Sequence, residues 1–128
     1  MAFILMVSDK ETTVQFLKQR VERFVRERDW DVYHHPKELA ISIAIEAAEL
    51  LEIFQWIEKQ PKEDIKRDEK VMSQIKDELA DVINYCIGLA NQLGIDISDS
   101  VVSKIEKNET RYPVARVRGK AREKVSAE

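Results

Sequence analysis

The amino-acid sequence predicts an all-α fold of four main helices in an antiparallel bundle that oligomerisation completes. The chain of 128 residues contains only 3 Gly and 3 Pro, which leaves few turns for a fold with many strands. Apolar residues recur at three- and four-residue steps over long segments, as they do along one face of a helix. The length suits a single core.

The first predicted helix covers residues 9 to about 29. Ser8 and Glu11 have the spacing of a capping box, which marks a helix start. An apolar stripe at helical spacing follows, formed by Val14, Leu17, Val21 and Phe24. The opening segment MAFILMV has no basic region before it, so we interpret it as a packing arm and not as a secretory signal.

The second predicted helix runs from Pro36 to about residue 59. Proline suits the first helical position, and Pro61 stops the segment. A surface helix of a small monomer does not tolerate apolar side chains in nearly every direction around its axis, so we expect a homodimer or homotetramer. These side chains are Leu39, Ile41, Ile43, Ile45, Leu50, Leu51, Ile53, Phe54 and Ile57.

The third predicted helix covers about residues 66 to 93, and the fourth covers about 98 to 111. Gly94 suits the left-handed conformation that often follows a helix end. Asp96 or Ser98 can then cap the next helix. Short connections favour an antiparallel bundle, in which each apolar stripe packs against its neighbours.

The charge distribution separates an acidic body from a basic tail. Residues 111 to 128 hold 6 basic and 2 acidic residues, against 15 and 22 in residues 1 to 110. We expect one domain over residues 1–113, with the N-terminal arm, and a basic tail over 114–128 whose composition is compatible with disorder. An acidic body binds phosphate backbones poorly, so no specific nucleic-acid partner is expected.

Cysteine and hydropathy patterns indicate the compartment. Cys86 is the single cysteine and cannot form an intrachain disulfide, so the cytoplasm is the expected location. Charged residues interrupt every helix-like segment before the roughly 18 apolar residues of a membrane span. We therefore expect no membrane partner.

Two pairs of acidic residues interrupt apolar stripes on the second and third predicted helices. Glu46 and Glu49 lie three residues apart, so they leave one helix face, and Glu78 and Asp81 repeat this spacing. In an antiparallel arrangement the four carboxylates can meet, and oxygen ligands of this kind suit Mg²⁺, with Mn²⁺ as a substitute. One such pair alone is common in surface ion-pair motifs, but two pairs inside apolar stripes favour a metal site.

Other side chains have the chemistry of a nucleotide site. The last part of the fourth predicted helix carries a polar stripe whose side chains can bind phosphate oxygens. The stripe consists of Lys104, Asn108, Arg111 and Tyr112. A solvated helix face would have the same pattern. Trp30 precedes the acid-bearing helix and Trp56 lies near its end, where the rings can stack on a base or pack in a core or interface.

The order of these motifs resembles the MazG-type all-α nucleoside triphosphate pyrophosphohydrolases, particularly the short dCTP pyrophosphatase branch. The resemblance covers about residues 28 to 113. The matching segments are RDW (28–30), HPKELA (35–40), EAAELLEIFQW (46–56), DELADVINYCIGLANQLGIDI (77–97) and KIEKNETRYP (104–113). Glu38 stands where relatives often have Asn, a difference that bears on base preference.

The resemblance implies roles for the residues already singled out. Glu46, Glu49, Glu78 and Asp81 match the Mg²⁺ ligands of the family. Lys104 and Asn108 match its triphosphate contacts, assisted by Tyr112, and Trp30 and Trp56 match its base pocket. The implied reaction is hydrolysis between the α- and β-phosphates, with Glu49 as the candidate base that accepts the proton of the attacking water.

The sequence therefore predicts an enzyme, a Mg²⁺-dependent nucleotide pyrophosphohydrolase that clears (deoxy)nucleoside triphosphates. Two alternatives stay open. One is a non-enzymatic helical interaction protein, in which the acids pair with cations of a partner subunit. The other keeps the fold but acts on dUTP or a phosphoribosyl nucleotide.

Overall fold

The computed structural model describes residues 6–57 and 60–120, and within these ranges the chain is helical without a strand. The all-α class is confirmed, and α1, α2, α4 and α5 are the four main helices. The α-helices are α1 (Val14–Glu27), α2 (Pro36–Phe54), α3 (Lys62–Arg67), α4 (Glu69–Leu93), α5 (Ile97–Arg111) and α6 (Val114–Val117), and a 3-10 helix (Asp31–Tyr33) precedes α2.

Helix α1 begins later than the capping box predicts. The Glu11 N–H donates to the Ser8 hydroxyl at 3.3 Å, but this closes only a turn. Thr13 is in extended conformation, and its hydroxyl accepts the Phe16 N–H at 3.1 Å. The predicted start at residue 9 is therefore wrong, because the Thr13 side chain caps a helix that begins only at Val14 and satisfies one of its free N–H groups.

The second predicted helix is shorter than expected. Helix α2 ends at Phe54, and residues 55–57 form a turn. The prediction of a helix up to about residue 59 is therefore wrong for residues 55–57. Residues 58 and 59 lie outside the described residues. At the other end, Pro36 does occupy the first helical position, capped by His35.

The third predicted helix is two helices. Asp68 takes an extended conformation between α3 and α4. Its carboxylate accepts the Val71 N–H at 3.1 Å, so Asp68 starts α4 as an N-cap. Helix α4 ends at Leu93 as predicted, because Gly94 has φ +63° and takes the left-handed conformation that favours glycine.

The chain divides into two compact units, one up to Ile95 and one from Asp96 onward. In the first unit α2 and α1 both pack on α4. Leu39 near the start of α2 lies beside Gly88 near the end of α4, so the two helices are antiparallel. The side chains of Val25, Leu39, Ile87 and Ala90 form its buried core.

Two hydrogen bonds tie α1 to the end of α4. Lys18 Nζ donates to the Ile95 carbonyl at 2.8 Å, and Asn91 Nδ2 donates to the Lys18 carbonyl at 3.0 Å. They hold the carboxyl end of α4 against α1 and so help to fix the distance between these two helices.

The second unit contains α5 and α6. The Asp96 carboxylate accepts the Asp99 N–H at 2.8 Å, so Asp96 is the cap of α5 and Ser98 lies inside the helix. The predicted tail begins with the single turn of α6, and residues 121–128 lie outside the described residues. None of the helices in the described ranges is both long and apolar enough to cross a membrane.

Candidate functional site

Three carboxylates converge between α2 and α4. Glu46 and Glu49 leave one face of α2, and Glu78 leaves the facing side of α4. Each offers an oxygen atom, and these three atoms all lie within 4.8 Å of one another. The antiparallel packing of the two helices produces this cluster, because it brings residues separated by about 30 positions to the same level of the bundle.

Two oxygens of the cluster are buried without a partner. Neither Glu46 Oε2 nor Glu78 Oε2 has a hydrogen-bond partner in the part of the chain that the structure describes. None of the ion pairs between described residues involves this cluster. A buried carboxylate oxygen without compensation is costly, and the described residues leave that cost uncompensated at Glu46 and Glu78.

Burial and the neighbouring carboxylates raise the pKa of two members of the cluster. Burial is the largest cause that raises the pKa of Glu46 from 4.5 to about 7, and hydrogen bonding with Glu49 and the charges of neighbouring carboxylates add to it. Burial likewise raises the pKa of Glu78, again with hydrogen bonding and charge from Glu49 as further causes. Such a cluster takes up protons or a cation.

The donor set fits a hard divalent cation. All three groups are carboxylates, the ligands that Mg²⁺ and Mn²⁺ prefer in proteins. The two orphaned oxygens, Glu46 Oε2 and Glu78 Oε2, are the atoms that a bound cation would satisfy. Asp81 lies outside the three-residue cluster, yet its charge contributes to the raised pKa of both Glu46 and Glu78.

Asp81 also lines a cavity of about 460 Å³ between α1 and α4. A volume of this order suits a small-molecule site. Helix α1 contributes Arg20, Val21, Phe24 and Val25, helix α4 contributes Asp81, Asn84, Tyr85 and Gly88, and Trp30, His34 and Leu39 complete the lining. The cavity therefore joins an aromatic wall to the edge of the acidic cluster.

The two tryptophans have different surroundings. Trp30 lies in the cavity wall, and its ring meets the Phe24 ring edge to face, with 5.8 Å between the centroids. Trp56 is 85% exposed and does not line this cavity. Of the two predicted base-binding rings, only Trp30 lines the cavity that Asp81 also lines.

The four residues of the predicted polar stripe lie in the second unit. Lys104, Asn108 and Arg111 follow one another along α5, and Tyr112 caps its end. The Tyr112 N–H donates to the Asn108 carbonyl at 2.8 Å, and the Arg111 guanidinium lies 5.5 Å from the centre of the Tyr112 ring. The stripe is thus a continuous polar face of α5 within that unit.

Several cavity residues were not assigned to a site from the sequence. Asn84, Tyr85 and Gly88 were not assigned, although they share one face of α4 with Asp81, which was, and the sequence displays that spacing. Arg20, by contrast, borders the apolar stripe of α1 and resembles any solvated arginine. His34 lines the cavity, whereas the neighbouring His35 is structural, since its Nδ1 accepts the Lys37 N–H at 3.3 Å.

Comparison with known proteins gives a consistent family assignment. Residues 41–124 match the model of the MazG-like family. The chain is 33% identical over 111 residues to dCTP pyrophosphatase 1 of Mus musculus, which is 87% of this chain and 65% of that protein. It is 30% identical over 112 residues to dCTP pyrophosphatase 1 of Homo sapiens, covering 88% of this chain and 66% of that protein.

A solved structure agrees with the sequence matches. A pyrophosphatase from Archaeoglobus fulgidus superposes with a TM-score of 0.71 and 37% identity, over 84% of this chain and 98% of that one. The chain spans about two thirds of the length of the curated relatives, 65% for the mouse protein. The resemblance stated from the motifs is therefore confirmed at the level of the family.

Proposed function

The chain belongs to the MazG-like family, and on that premise we propose that it is a metal-dependent nucleoside triphosphate pyrophosphatase. The reaction cleaves the triphosphate between the α- and β-phosphates and releases a nucleoside monophosphate and pyrophosphate. The observation that carries the proposal is the cluster of Glu46, Glu49 and Glu78, with two buried carboxylate oxygens that no described residue satisfies.

The cluster would hold Mg²⁺, with Mn²⁺ as a substitute. Glu46, Glu49 and Glu78 supply the oxygens, and Asp81 adds negative charge at the edge of the cavity. When bound, the ion neutralises phosphate charge and acidifies water. The three carboxylates would hold the ion in a fixed position, because they are anchored on two packed helices.

Glu49 is the proposed general base. It is the exposed member of the cluster, so solvent and substrate reach it more readily than they reach Glu46 or Glu78. Glu49 is also among the causes that raise the pKa of both Glu46 and Glu78. A carboxylate in this position can accept the proton of a water that attacks phosphorus.

The cavity between α1 and α4 is the proposed site of the base. Trp30 offers an aromatic face there, and stacking of a base on such a ring is worth about 1 to 3 kcal/mol. The relatives named dCTP pyrophosphatase support a cytosine nucleotide, while dUTP and phosphoribosyl nucleotides are the alternatives. Trp56 does not line this cavity, so any contact of Trp56 with the base would lie outside it.

The polar face of α5 is the proposed triphosphate contact. Lys104 and Arg111 supply positive charge, Asn108 supplies amide donors, and Tyr112 supplies a hydroxyl. The family resemblance of the segment KIEKNETRYP supports these roles.

The cytoplasmic location expected from the single cysteine stays a prediction.

A homo-oligomer is part of the proposal. Ile41, Ile45 and Leu51 remain 45%, 52% and 65% exposed on α2. Several exposed apolar side chains on one helix of a small protein are typical of an interface. A dimer or tetramer of this chain would cover it.

The decisive experiment measures pyrophosphate release from a panel of (deoxy)nucleoside triphosphates with Mg²⁺ and with EDTA. Glu78→Ala should lower turnover by at least about a hundredfold, because outer-shell changes alone cost metal sites 10 to 100-fold and Glu78 would be a direct ligand. Asp77→Asn is the matched control, since Asp77 is an exposed neighbour on α4. Its turnover should equal that of the wild type.

The outcomes separate the proposal from its rival. Retained turnover in Glu78→Ala, with helicity intact by circular dichroism, would contradict the assignment of the cluster. Absence of turnover in folded wild-type protein, together with no heat of Mg²⁺ binding in calorimetry, would favour the non-enzymatic interaction protein.

A further inference from the structure

The cavity between α1 and α4 is lined by one positively charged side chain, that of Arg20, and the carboxylate cluster does not explain its role. Arg20 lines the cavity from α1, and Asp81 lines it from α4. Arg20 is the only Lys or Arg among the lining residues, and the two side chains form no salt bridge with each other, although both border the same space. Among the described residues, the Arg20 guanidinium also donates no hydrogen bond.

Arg20 lies on the aromatic side of the cavity. Its neighbours on the same wall are Val21 and Phe24, and Phe24 contacts the Trp30 ring. The three carboxylates of the cluster leave α2 and α4, and none of them lines the cavity. A substrate with its phosphates at the cluster would therefore place its base, not its phosphates, nearest to Arg20.

We propose that Arg20 is a specificity-determining residue that donates hydrogen bonds to a carbonyl oxygen of the base. The proposal rests on the proposed function. Guanidinium has five N–H donors in a rigid fork and no acceptor, so it complements a group that only accepts. Cytosine, guanine and uracil carry a carbonyl oxygen, whereas adenine accepts only at ring nitrogens, and its N1 and N7 flank an amino group whose N–H donors oppose a guanidinium. Arg20 thus favours oxo bases over adenine.

The magnitude follows from known arginine contacts to bases. An arginine contact that is bidentate to guanine O6 and N7 discriminates against the wrong base by about 5- to 150-fold. Because the Arg20 side chain is exposed, the expected effect lies in the lower half of that range. This corresponds to about a tenfold change in the preference for an oxo base over adenine.

The test compares three variants with the wild type. Arg20→Gln removes the charge and the donor fork, and Arg20→Lys keeps a charged donor. Arg23→Gln is the matched control, because Arg23 lies on the same helix outside the cavity, paired at 3.6 Å only with Glu27. Circular dichroism checks that each variant folds, as expected for exposed side chains.

The readout is kcat/KM for dCTP and dGTP divided by kcat/KM for dATP, with Mg²⁺. We expect this ratio to fall about tenfold in Arg20→Gln, to recover in part in Arg20→Lys, and to stay unchanged in Arg23→Gln. A second pair removes most other differences between bases, since inosine and purine riboside triphosphates differ only in the 6-oxo group and the N1 proton that accompanies it. The same fall in their ratio is expected.

Two outcomes would overturn the proposal. An equal loss for all triphosphates in Arg20→Gln indicates a phosphate contact or a structural role, and an unchanged ratio indicates no role. Equilibrium binding of α,β-imido analogues of dCTP and dATP is measured in parallel. If the wild type hydrolyses nothing, the proposed function fails, while the ratio of the two dissociation constants still decides the role of Arg20.

Discussion

Glu46 and Glu78 each keep one carboxylate oxygen buried and without a hydrogen-bond partner among the described residues. At the same time each faces the charge of Glu49 and Asp81. The metal-free cluster is therefore a source of repulsion within the fold. A divalent cation relieves that repulsion and satisfies the buried oxygens, so one group of residues couples metal binding to stability.

The raised pKa of Glu46 predicts how stability depends on pH. Between its ordinary pKa of 4.5 and its folded pKa of about 7, the folded protein holds more protons than the unfolded chain. The free energy of unfolding of the metal-free protein should therefore fall as pH rises through this window. Urea denaturation with EDTA at pH 5, 6, 7 and 8 measures this slope.

Glu46→Gln is the control for that slope, because glutamine does not titrate. The variant should lose part of the decline between pH 5 and 7 that the wild type shows. Added Mg²⁺ should stabilise the wild type more at pH 8 than at pH 6, since protons compete with the cation. Equal Mg²⁺ stabilisation at both pH values would contradict the coupling.

Helix α4 provides one wall of both the cluster and the cavity, so its integrity matters to each. It starts at the Asp68 cap and ends at Gly94, and near its end it carries Gly88, which packs beside Leu39. The two glycines have different physical roles. Gly94 has a positive φ of 63°, whereas Gly88 lies inside the helix.

The same substitution should have opposite effects at these two glycines. A Cβ at Gly88 would lie 3.7 Å from Leu39 Cδ2, an ordinary contact, so Gly88→Ala should stabilise α4 by about 0.5 to 1 kcal/mol. Gly94→Ala should destabilise by about 1 to 2 kcal/mol, because alanine is strained in the left-handed region. Urea midpoints of both variants measure the difference, and equal signs would contradict it.

Helix α2 connects the site to the assembly of the molecule. One face carries the acids of the cluster, and other directions carry apolar side chains that remain exposed, such as Ile45 and Leu51. The core of the first unit is small, with Leu39, at 1% exposure, as its most buried large side chain. Association of α2 with a second copy would enlarge that core.

Sedimentation velocity tests the expected homo-oligomer. The wild type should sediment as a dimer or tetramer at micromolar concentration, because covering the α2 face removes apolar surface from water. Leu51→Glu should shift the distribution toward monomer, since it places a charge in that face. Lys62→Glu, an exposed change in α3, is the control. A monomeric wild type would refute the expectation.

The sequence by itself determined the features that act within one or two helical turns. Apolar periodicity gave the all-α class, Gly94 marked the end of α4, and the spacing of Glu46 and Glu49 placed two acids on one face. It failed at residue 9 and at Asp68, where a threonine or aspartate cap competes with continuation of the helix. The order of the motifs along the chain was also sufficient to identify the family.

The tertiary structure decided which helix faces meet. The register of α2 against α4 brings Glu78 to Glu46 and Glu49, and the packing of α1 places Arg20 in a cavity with Trp30 while Trp56 stays exposed. No local pattern encodes these pairings. They depend on side chains far apart in sequence, such as Leu39 beside Gly88, because close packing selects one register between helices.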